Sequence, residues 1–280
     1  MSLVINTNVM SLNAQRNLAA NINKLSVSVQ RLSSGLRINS AKDDAAGLAI
    51  SEKLRAHIRS INVATRNAQD GISLAQVAEG GLDQIGGLLA RMRELSEESA
   101  NGTLGSTERS ALDNEYQQLK SEIDRIADVT EFNGTKMLDG SKSGAGVTLQ
   151  VGFQNTVNDR ITFFSGVGAT KTDDLGITGT FGTISSAGNA QSALTQIDSA
   201  IATVAERRGT LGAVQNRLDN TISNLRVASE NLSAADSRIR DADFAFETAV
   251  FTKNQIMVQA STAILAQANV IPQTALSLLK

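Results

Sequence analysis

Residues 211–239 read LGAVQNRLDNTISNLRVASENLSAADSRI, and a large apolar side chain stands at every seventh position. These side chains are Leu211, Leu218, Leu225, Leu232 and Ile239, and the spacing continues to Phe246. A companion file, largely of alanine, runs from Val214 to Val270 and includes Ala249, Ile256 and Ala263. A strict seven-residue apolar period is typical of helices that supercoil left-handedly around a partner. We therefore expect a long helix that packs closely against another helix.

The expected partner lies upstream, where residues 44–99 show the same period. One file is Leu54, Ile61, Ala68, Ala75, Leu82 and Leu89, and its companion is Ile58, Thr65, Ile72, Ala78, Ile85 and Met92. Ser40 and Asp43 have the spacing of a capping box, which predicts the start of this helix. A helix of that length would extend for about 80 Å. The Asn101-Gly102 turn separates it from a third predicted helix over 106–129.

The first 40 residues carry their own seam of alternating four- and three-residue steps. It consists of Leu18, Ile22, Leu25, Val29, Leu32 and Leu36. This spacing predicts a coiled-coil helix of about three heptads, interrupted at Ser33-Ser34-Gly35.

Between about 132 and 190 the helical period gives way to alternation. Phe132–Thr135 predicts a turn, residues 147–153 predict a half-buried strand, and Arg160–Phe164 predicts a second strand. The fold class is mainly α: a long antiparallel coiled-coil rod with a terminal helix pair and a small β-hairpin lobe. The predicted domains are a terminal helical domain, 1–43 with 237–280, and a rod domain, 44–236, which holds the lobe at about 132–190.

The composition excludes several kinds of chemistry. The 280 residues contain no cysteine and only one histidine, His57. Disulfides, thiolate ligands and every mechanism that needs two histidines are therefore excluded. With no tryptophan, one tyrosine and eight phenylalanines, few rings are available to stack on nucleic-acid bases. We expect no catalytic residue, no cofactor, no metal and no nucleic-acid partner.

The net charge of −2 is unevenly distributed. Residues 1–40 and 248–280 hold six bases and no acids, so the remaining 20 bases and 28 acids give the middle a charge of −8. An acid-poor N-terminus is also typical of transit peptides, but the far C-terminus shares the property, which favours burial of both ends in an assembly. No secretory signal and no apolar run of membrane-spanning length is present.

Three further features have plain structural explanations. His57 has no second His or acid cluster beside it, and a solvated or partly packed side chain explains it. The pairs Gly80-Gly81 and Gly86-Gly87 lack a phosphate-loop pattern, so close helix packing is the preferred explanation. A metal site could use Asp43, Asp44, Asp241 and Asp243, although helix capping and ion pairs between subunits are preferred.

Two signatures resemble those of one family. The opening Ile5-Asn6-Thr7-Asn8 and the stretch Leu32–Gly47, LSSGLRINSAKDDAAG, are similar to the N-terminal signature of bacterial flagellins. Ser237–Phe244, SRIRDADF, followed by Thr252–Ile256, TKNQI, is similar to the C-terminal signature. The resemblance covers about 1–140 and 190–280.

The resemblance implies a subunit of the flagellar filament, whose terminal domain builds an inner tube and whose rod domain builds an outer tube. The short middle implies that large outer domains are missing. It also implies extracellular localisation, reached without a cleaved signal through the flagellar type III export apparatus. The implied partners are further copies of the chain, an export chaperone on the C-terminal helix, and the filament cap and junction proteins, with no membrane partner.

Residues at the two ends are the candidates for assembly. They are Leu18, Ile22, Leu25, Val29, Leu32, Leu36, Phe246, Ile256, Ala263 and Val270. Phe246, Val250 and Phe251 depart from the familiar signature, which suggests extra packing in the inner tube. The resemblance also implies that Arg91, Leu95 and Glu115 contact the Toll-like flagellin receptor of a host. An ordinary helical surface with an interface role is the alternative.

Other functions stay open to comparison. A hook–filament junction protein resembles flagellin at both ends, but the close match to both signatures favours the filament subunit. Chemoreceptor rods share the long heptads, yet they have membrane spans and an acid-rich tip. An enzymatic insert is excluded by the single histidine and the short middle.

Overall fold

The computed structural model describes residues 7–164 and 169–277, except for the side chains at 180–181 and 271–277. Five helices account for most of these residues, and four short strands form two hairpins. The described residues divide into two compact units, one within Met1–Ile58 and Glu230–Lys280 and the other within Arg59–Ser229. We call them the terminal unit and the central unit.

The helices follow the periodicity of the sequence. They are α1 (Val9–Ser34), α2 (Ala45–Ala100), α3 (Ser106–Val129), α4 (Ala187–Arg240) and α5 (Phe244–Ser277). The predicted helices over 44–99 and 106–129 are confirmed within one residue. Asp241–Asp243 separate α4 from α5, although the seven-residue spacing continues across them, so periodicity gave no sign of this break.

The core of the central unit lies where α2, α3 and α4 pack together. The fully buried members include Leu82, Ile85, Leu89 and Met92 of α2, Tyr116 and Ile123 of α3, and Ile197, Val204 and Leu211 of α4. The four α2 residues and Leu211 are heptad positions that the sequence singled out, whereas Tyr116, Ile197 and Val204 are not. Removal of this apolar surface from water is the main source of stability for the unit.

Polar contacts give the relative direction of α2 and α4 in this unit. Arg93 pairs with Asp198 at 2.7 Å, and Asp83 pairs with Arg208 at 2.9 Å. Residue numbers therefore rise along α2 as they fall along α4, so the two helices are antiparallel, as predicted. Exposed ion pairs of this kind contribute little stability. They therefore indicate how the two helices are aligned but do little to stabilise that alignment.

The β segments match the predicted turn and the two predicted strands, and they form two hairpins. Strands β1 (Glu131–Phe132) and β2 (Thr135–Lys136) flank Asn133 and Gly134, whose φ angles are 49° and 73°. Two consecutive positive φ angles are those of the tight turn that Asn-Gly favours. Strands β3 (Val147–Gln150) and β4 (Arg160–Phe163) pair antiparallel, and buried Ile161 and Phe163 face the core.

The glycine pairs of α2 differ from one another. A Cβ at Gly81 would lie 2.8 Å from Cδ1 of Leu138, so the close packing there is against the segment after β2 and not against another helix. At Gly80, Gly86 and Gly87 a Cβ would meet nothing within 4 Å, and the expectation of close packing within the described residues is wrong. Gly71, which the sequence did not single out, packs directly against Leu149 of β3.

Candidate functional site

The terminal unit begins with a helix that is capped at both ends. The Asn8 side chain accepts a hydrogen bond from the Ser11 amide at 3.0 Å, which satisfies one free donor of the first turn of α1. At the other end Gly35 adopts φ 70°, and its amide donates to the Arg31 carbonyl. Ile5 and Asn6 of the opening motif lie outside the described residues.

Helix α1 packs on α5, and the packed face of α1 is only partly apolar. Ser11, Ala14 and Ser28 are buried, whereas Leu18, Leu25 and Leu32 are half-buried. Ile22 and Val29 are each 48% exposed. The predicted seam is therefore only partly buried within the subunit, because the file Ala14, Asn21, Ser28 takes the place of Ile22 and Val29 beside the leucines.

The packed face of α5 is also polar at a seven-residue spacing. Its buried residues are Glu247, Asn254, Ser261 and Ala268. Val258 and Leu265 are half-buried between them. The predicted file Ala249, Ile256, Ala263 and Val270 is exposed instead, so α5 turns its alanine-rich side away from α1.

Side chains on these packed faces meet in pairs. The Asn21 amide donates to the Ser261 hydroxyl at 2.9 Å, and the Asn254 amide donates to the Ser28 hydroxyl at 3.3 Å. The Ser11 hydroxyl donates to the Asn269 side-chain carbonyl at 2.8 Å. Arg31 contacts Glu247 at 3.5 Å. We call these four pairs the polar ladder.

Large apolar side chains of both helices remain exposed. On α1 they are Val9, Met10, Leu12, Ile22, Val27 and Val29, and on α5 they are Phe244, Phe246, Ile256, Met257, Ile264 and Val270. We call these twelve residues the terminal apolar set. Phe246 is 68% exposed and Ile256 is 58% exposed. So many large exposed apolar groups on two paired helices indicate an interaction surface.

The two signature stretches meet just after the end of α1 and just before the start of α5. Leu36 and Asp241 form an antiparallel bridge. The Arg37 amide donates to the Arg240 carbonyl at 2.6 Å, and the Ala242 amide donates to the Gly35 carbonyl at 2.9 Å. Residues about 200 positions apart in sequence are thus joined by main-chain hydrogen bonds.

Three of the four aspartates in the signatures cap helices or turns. Asp44 accepts from the Gly47 amide at 2.8 Å, and Asp243 accepts from the Ala245 amide at 2.9 Å. Asp43 instead accepts from the Ser40 amide at 2.9 Å, in the turn before α2. Hydrogen bonds from Ser40 and then Asn39 hold the pKa of Asp43 below its ordinary value. These contacts favour capping over a metal site. The predicted start of α2 is correct, but the side chain that caps the helix is that of Asp44, which follows the predicted Ser40 and Asp43 pair.

Arg91 and Glu115 lie together on the surface of the central unit. The Arg91 guanidinium contacts Glu115 at 2.9 Å and Glu94 at 2.9 Å. Hydrogen bonds with Glu94 and then Glu115 raise the pKa of Arg91. Leu95 is only 1% exposed and belongs to the core. The expectation of an exposed Arg91–Leu95 surface is therefore wrong.

His57 is half-buried on α2. Across residues 7–164 and 169–277, no three His, Asp or Glu side chains are grouped as they would be to hold a metal ion. In the same part of the chain, no helix has both the length and the apolar character needed to cross a membrane.

The fold and the terminal apolar set define a helix-rich structural protein with surfaces for further association. Residues 5–143 match the family model for the bacterial flagellin N-terminal helical region, and residues 194–279 match the bacterial flagellin C-terminal helical region. The chain belongs to the bacterial flagellin family.

Two flagellar proteins are similar along nearly the whole chain, and one solved structure is similar along most of it. A flagellin of Halalkalibacterium halodurans is 49% identical over 280 residues, which cover 99% of this chain and 100% of the relative. The flagellar filament 30.7 kDa core protein of Treponema maltophilum is 42% identical over 288 residues, with 99% and 100% coverage. A solved structure titled as a putative flagellar hook-associated protein from Vibrio parahaemolyticus has a TM-score of 0.59 at 16% identity, covering 71% of this chain and 100% of that one. This last likeness shows the fold alone.

These findings give the function at the level of the family. The chain is a structural subunit that self-assembles into the bacterial flagellar filament, the extracellular organelle of swimming motility. The alternative of a hook–filament junction protein is not favoured.

Proposed function

We propose that the terminal apolar set forms the contacts between subunits in the filament. The observation that carries this proposal is the exposure of large apolar residues on both terminal helices, while polar pairs occupy much of the face between those helices. Burial of apolar surface is favourable by about 25 cal/mol per Å². Contacts with neighbouring copies would therefore supply the stability that the polar seam does not.

The candidate assembly residues divide into two groups under this proposal. Ile22, Val29, Phe246 and Ile256 are exposed, as are Ala263 and Val270, so they are available to other copies. Leu18, Leu25, Leu32 and Leu36 are half-buried and would serve both the helix pair and the polymer. We assign 1–43 with 237–280 to an inner tube and 44–236 to an outer tube.

The same apolar residues would need protection before assembly. We propose that an export chaperone covers the exposed apolar side chains of α5 until the subunit passes uncleaved through the type III export apparatus. The filament cap and junction proteins would then receive it outside the cell. No catalysis and no cofactor is part of this function.

Polymerisation of the purified chain tests the assembly proposal. The intact protein should form filaments visible by electron microscopy after seeding or salting, because both terminal helices are present. A version lacking residues 1–40 should stay soluble, because α5 loses its partner and half of the terminal apolar set is gone. Filaments from the truncated version, or none from the intact one, would contradict the proposal.

A second proposed role is recognition of the monomer by a host Toll-like receptor. The exposed ion pair of Arg91 with Glu115 supports it, because a receptor could replace each partner with its own charged groups. Leu95 would act only indirectly, by packing α2 beneath this surface.

Reversal of one charge tests the receptor role. Arg91→Asp should weaken signalling by the purified monomer at least tenfold, because it places an acid beside Glu94 and Glu115. Arg93→Asp is the matched control, since Arg93 lies two residues away on the same helix and pairs with Asp198 instead. A reporter-cell dose–response curve measures both, and equal potency of the two variants would sink the idea.

A further inference from the structure

The polar ladder is an unusual way to join two helices that carry so many apolar residues. The seam of a coiled coil ordinarily buries apolar side chains at the positions that face the partner. Here Asn21 and Ser28 of α1 face Ser261 and Asn254 of α5. Ile22 and Val29 stand one position further along α1 and are exposed. Large apolar side chains therefore lie beside the seam but are not packed in it.

The ladder repeats along most of the helix pair. Its contacts join Ser11 to Asn269, Asn21 to Ser261, Ser28 to Asn254 and Arg31 to Glu247. Numbers rise on α1 as they fall on α5, so all four rungs fit one antiparallel arrangement of the two helices. Ser28, Asn254, Ser261 and Glu247 are all buried. A shift of the helices would therefore strand several buried polar groups at once, which is costly.

We propose that the polar ladder selects the partner and the register of the terminal helices. Apolar contacts are non-directional, so a seam of leucines would tolerate a slip of one heptad, about 10 Å along the helix. It would also tolerate pairing with the helices of another copy. Hydrogen-bonded polar side chains at seam positions are known to fix register and association state at some cost in stability.

The ladder thereby keeps two kinds of contact apart. Within one subunit, α1 pairs with α5 through the rungs, and the terminal apolar set stays outside that pair. This inference rests on the proposed role of the terminal apolar set as the contact between subunits. It adds that specificity comes from polar residues inside the subunit, whereas the strength of assembly comes from apolar residues outside it.

Replacement of one rung by leucines is the direct test. The full-length Asn21→Leu/Ser261→Leu variant gains an apolar seam and loses its directional contact. We expect circular dichroism to show a higher helix content in this soluble variant than in the unaltered chain. We expect sedimentation velocity to detect soluble oligomers of the variant. Filament yield in seeded growth should fall at least tenfold, because misregistered or intermolecular pairs cannot add to the filament end.

Two further variants separate pairing from bulk. Ser28→Ala/Asn254→Ala removes the next rung without added volume, and filament yield should again fall. Asn21→Ser/Ser261→Asn exchanges the partners and retains both polar groups, so it should polymerise as the unaltered chain does. A simple loss of helix stability would lower the helix content of the leucine variant, in contrast to the rise expected here.

The outcomes are distinguishable from failure of the assembly proposal. That proposal fails if an acid introduced into the terminal apolar set leaves polymerisation intact. Normal filament yield from Asn21→Leu/Ser261→Leu or from Ser28→Ala/Asn254→Ala would overturn the ladder inference. So would a loss of filament yield in Asn21→Ser/Ser261→Asn as large as that in the leucine variant.

Discussion

Replacement of Ile256 by aspartate is expected to prevent filament growth at concentrations where the unaltered chain polymerises. Ile256 is 58% exposed on α5 and belongs to the terminal apolar set. An unpaired carboxylate buried between subunits costs about 3 kcal/mol. That cost raises the critical concentration about 100-fold, because each 1.4 kcal/mol is a factor of ten. Seeded growth followed by sedimentation and electron microscopy measures the change.

Val157→Asp is the matched control for this experiment. Val157 is 84% exposed in the turn between β3 and β4, and it lies outside the terminal unit. The same chemical change there should leave the critical concentration within about twofold. Circular dichroism of both soluble proteins shows whether the helices are intact. Equal growth of the two variants would remove Ile256 from the assembly surface.

Replacement of Leu89 by alanine should produce a large loss of stability in the central unit. Leu89 is fully buried among the residues of α2, α3 and α4. Truncation of a buried leucine removes transfer energy and leaves a cavity, which together cost about 3 kcal/mol. A loss of that size lowers the midpoint of thermal unfolding by roughly 6–12 °C for a domain of this size. Calorimetry of the monomer measures it.

Val77→Ala provides the comparison on the same helix. Val77 is 40% exposed, so removal of two methyl groups there should cost well under about 1 kcal/mol. If Leu89→Ala and Val77→Ala had the same midpoint of thermal unfolding, the buried cluster of α2, α3 and α4 would not be the main source of stability in the central unit. A lower midpoint for Leu89→Ala, with an unchanged helix content at low temperature, is the expected result.

Much of the fold follows from periodicity. Leu82 and Leu89 on α2, and Leu211 and Leu218 on α4, are buried as the seven-residue spacing predicts. Further along the α4 file, Leu225, Leu232 and Ile239 are half-buried. The turn at Asn133-Gly134 follows from the preference of these residues for positive φ. These features depend on local spacing and on backbone preference, and both are present in the sequence itself.

The pairing face of the terminal helices did not follow from periodicity. Leu18, Leu25 and Leu32 can be flanked by Ile22 and Val29 on one side or by Asn21 and Ser28 on the other. Apolar spacing favours the first arrangement, but the partner presents Asn254 and Ser261 at the matching positions. The choice depends on hydrogen bonds between residues more than 200 positions apart, which no local pattern reports.

The surface of the central unit did not follow from spacing for a related reason. Leu95 follows Arg91 by one turn, and this spacing predicts that the two share one exposed face. Leu95 also follows Met92 by three residues and continues the buried file of α2. When one residue fits both an exposed and a buried stripe, only the packing of α3 and α4 decides. The serine at 99, which is fully buried, lies one turn further along the same side.

The bridge between Leu36 and Asp241 has a consequence for mutational tolerance. Its hydrogen bonds run between main-chain groups of Gly35, Arg37, Arg240 and Ala242, so the side chains at 36 and 241 are free to vary without loss of these bonds. Gly35 is the exception, since its φ of 70° disfavours any residue with a Cβ. A saturation library over this segment, scored for folding of the soluble subunit and not for assembly, would accordingly recover many replacements at 36 and 241 and few at 35.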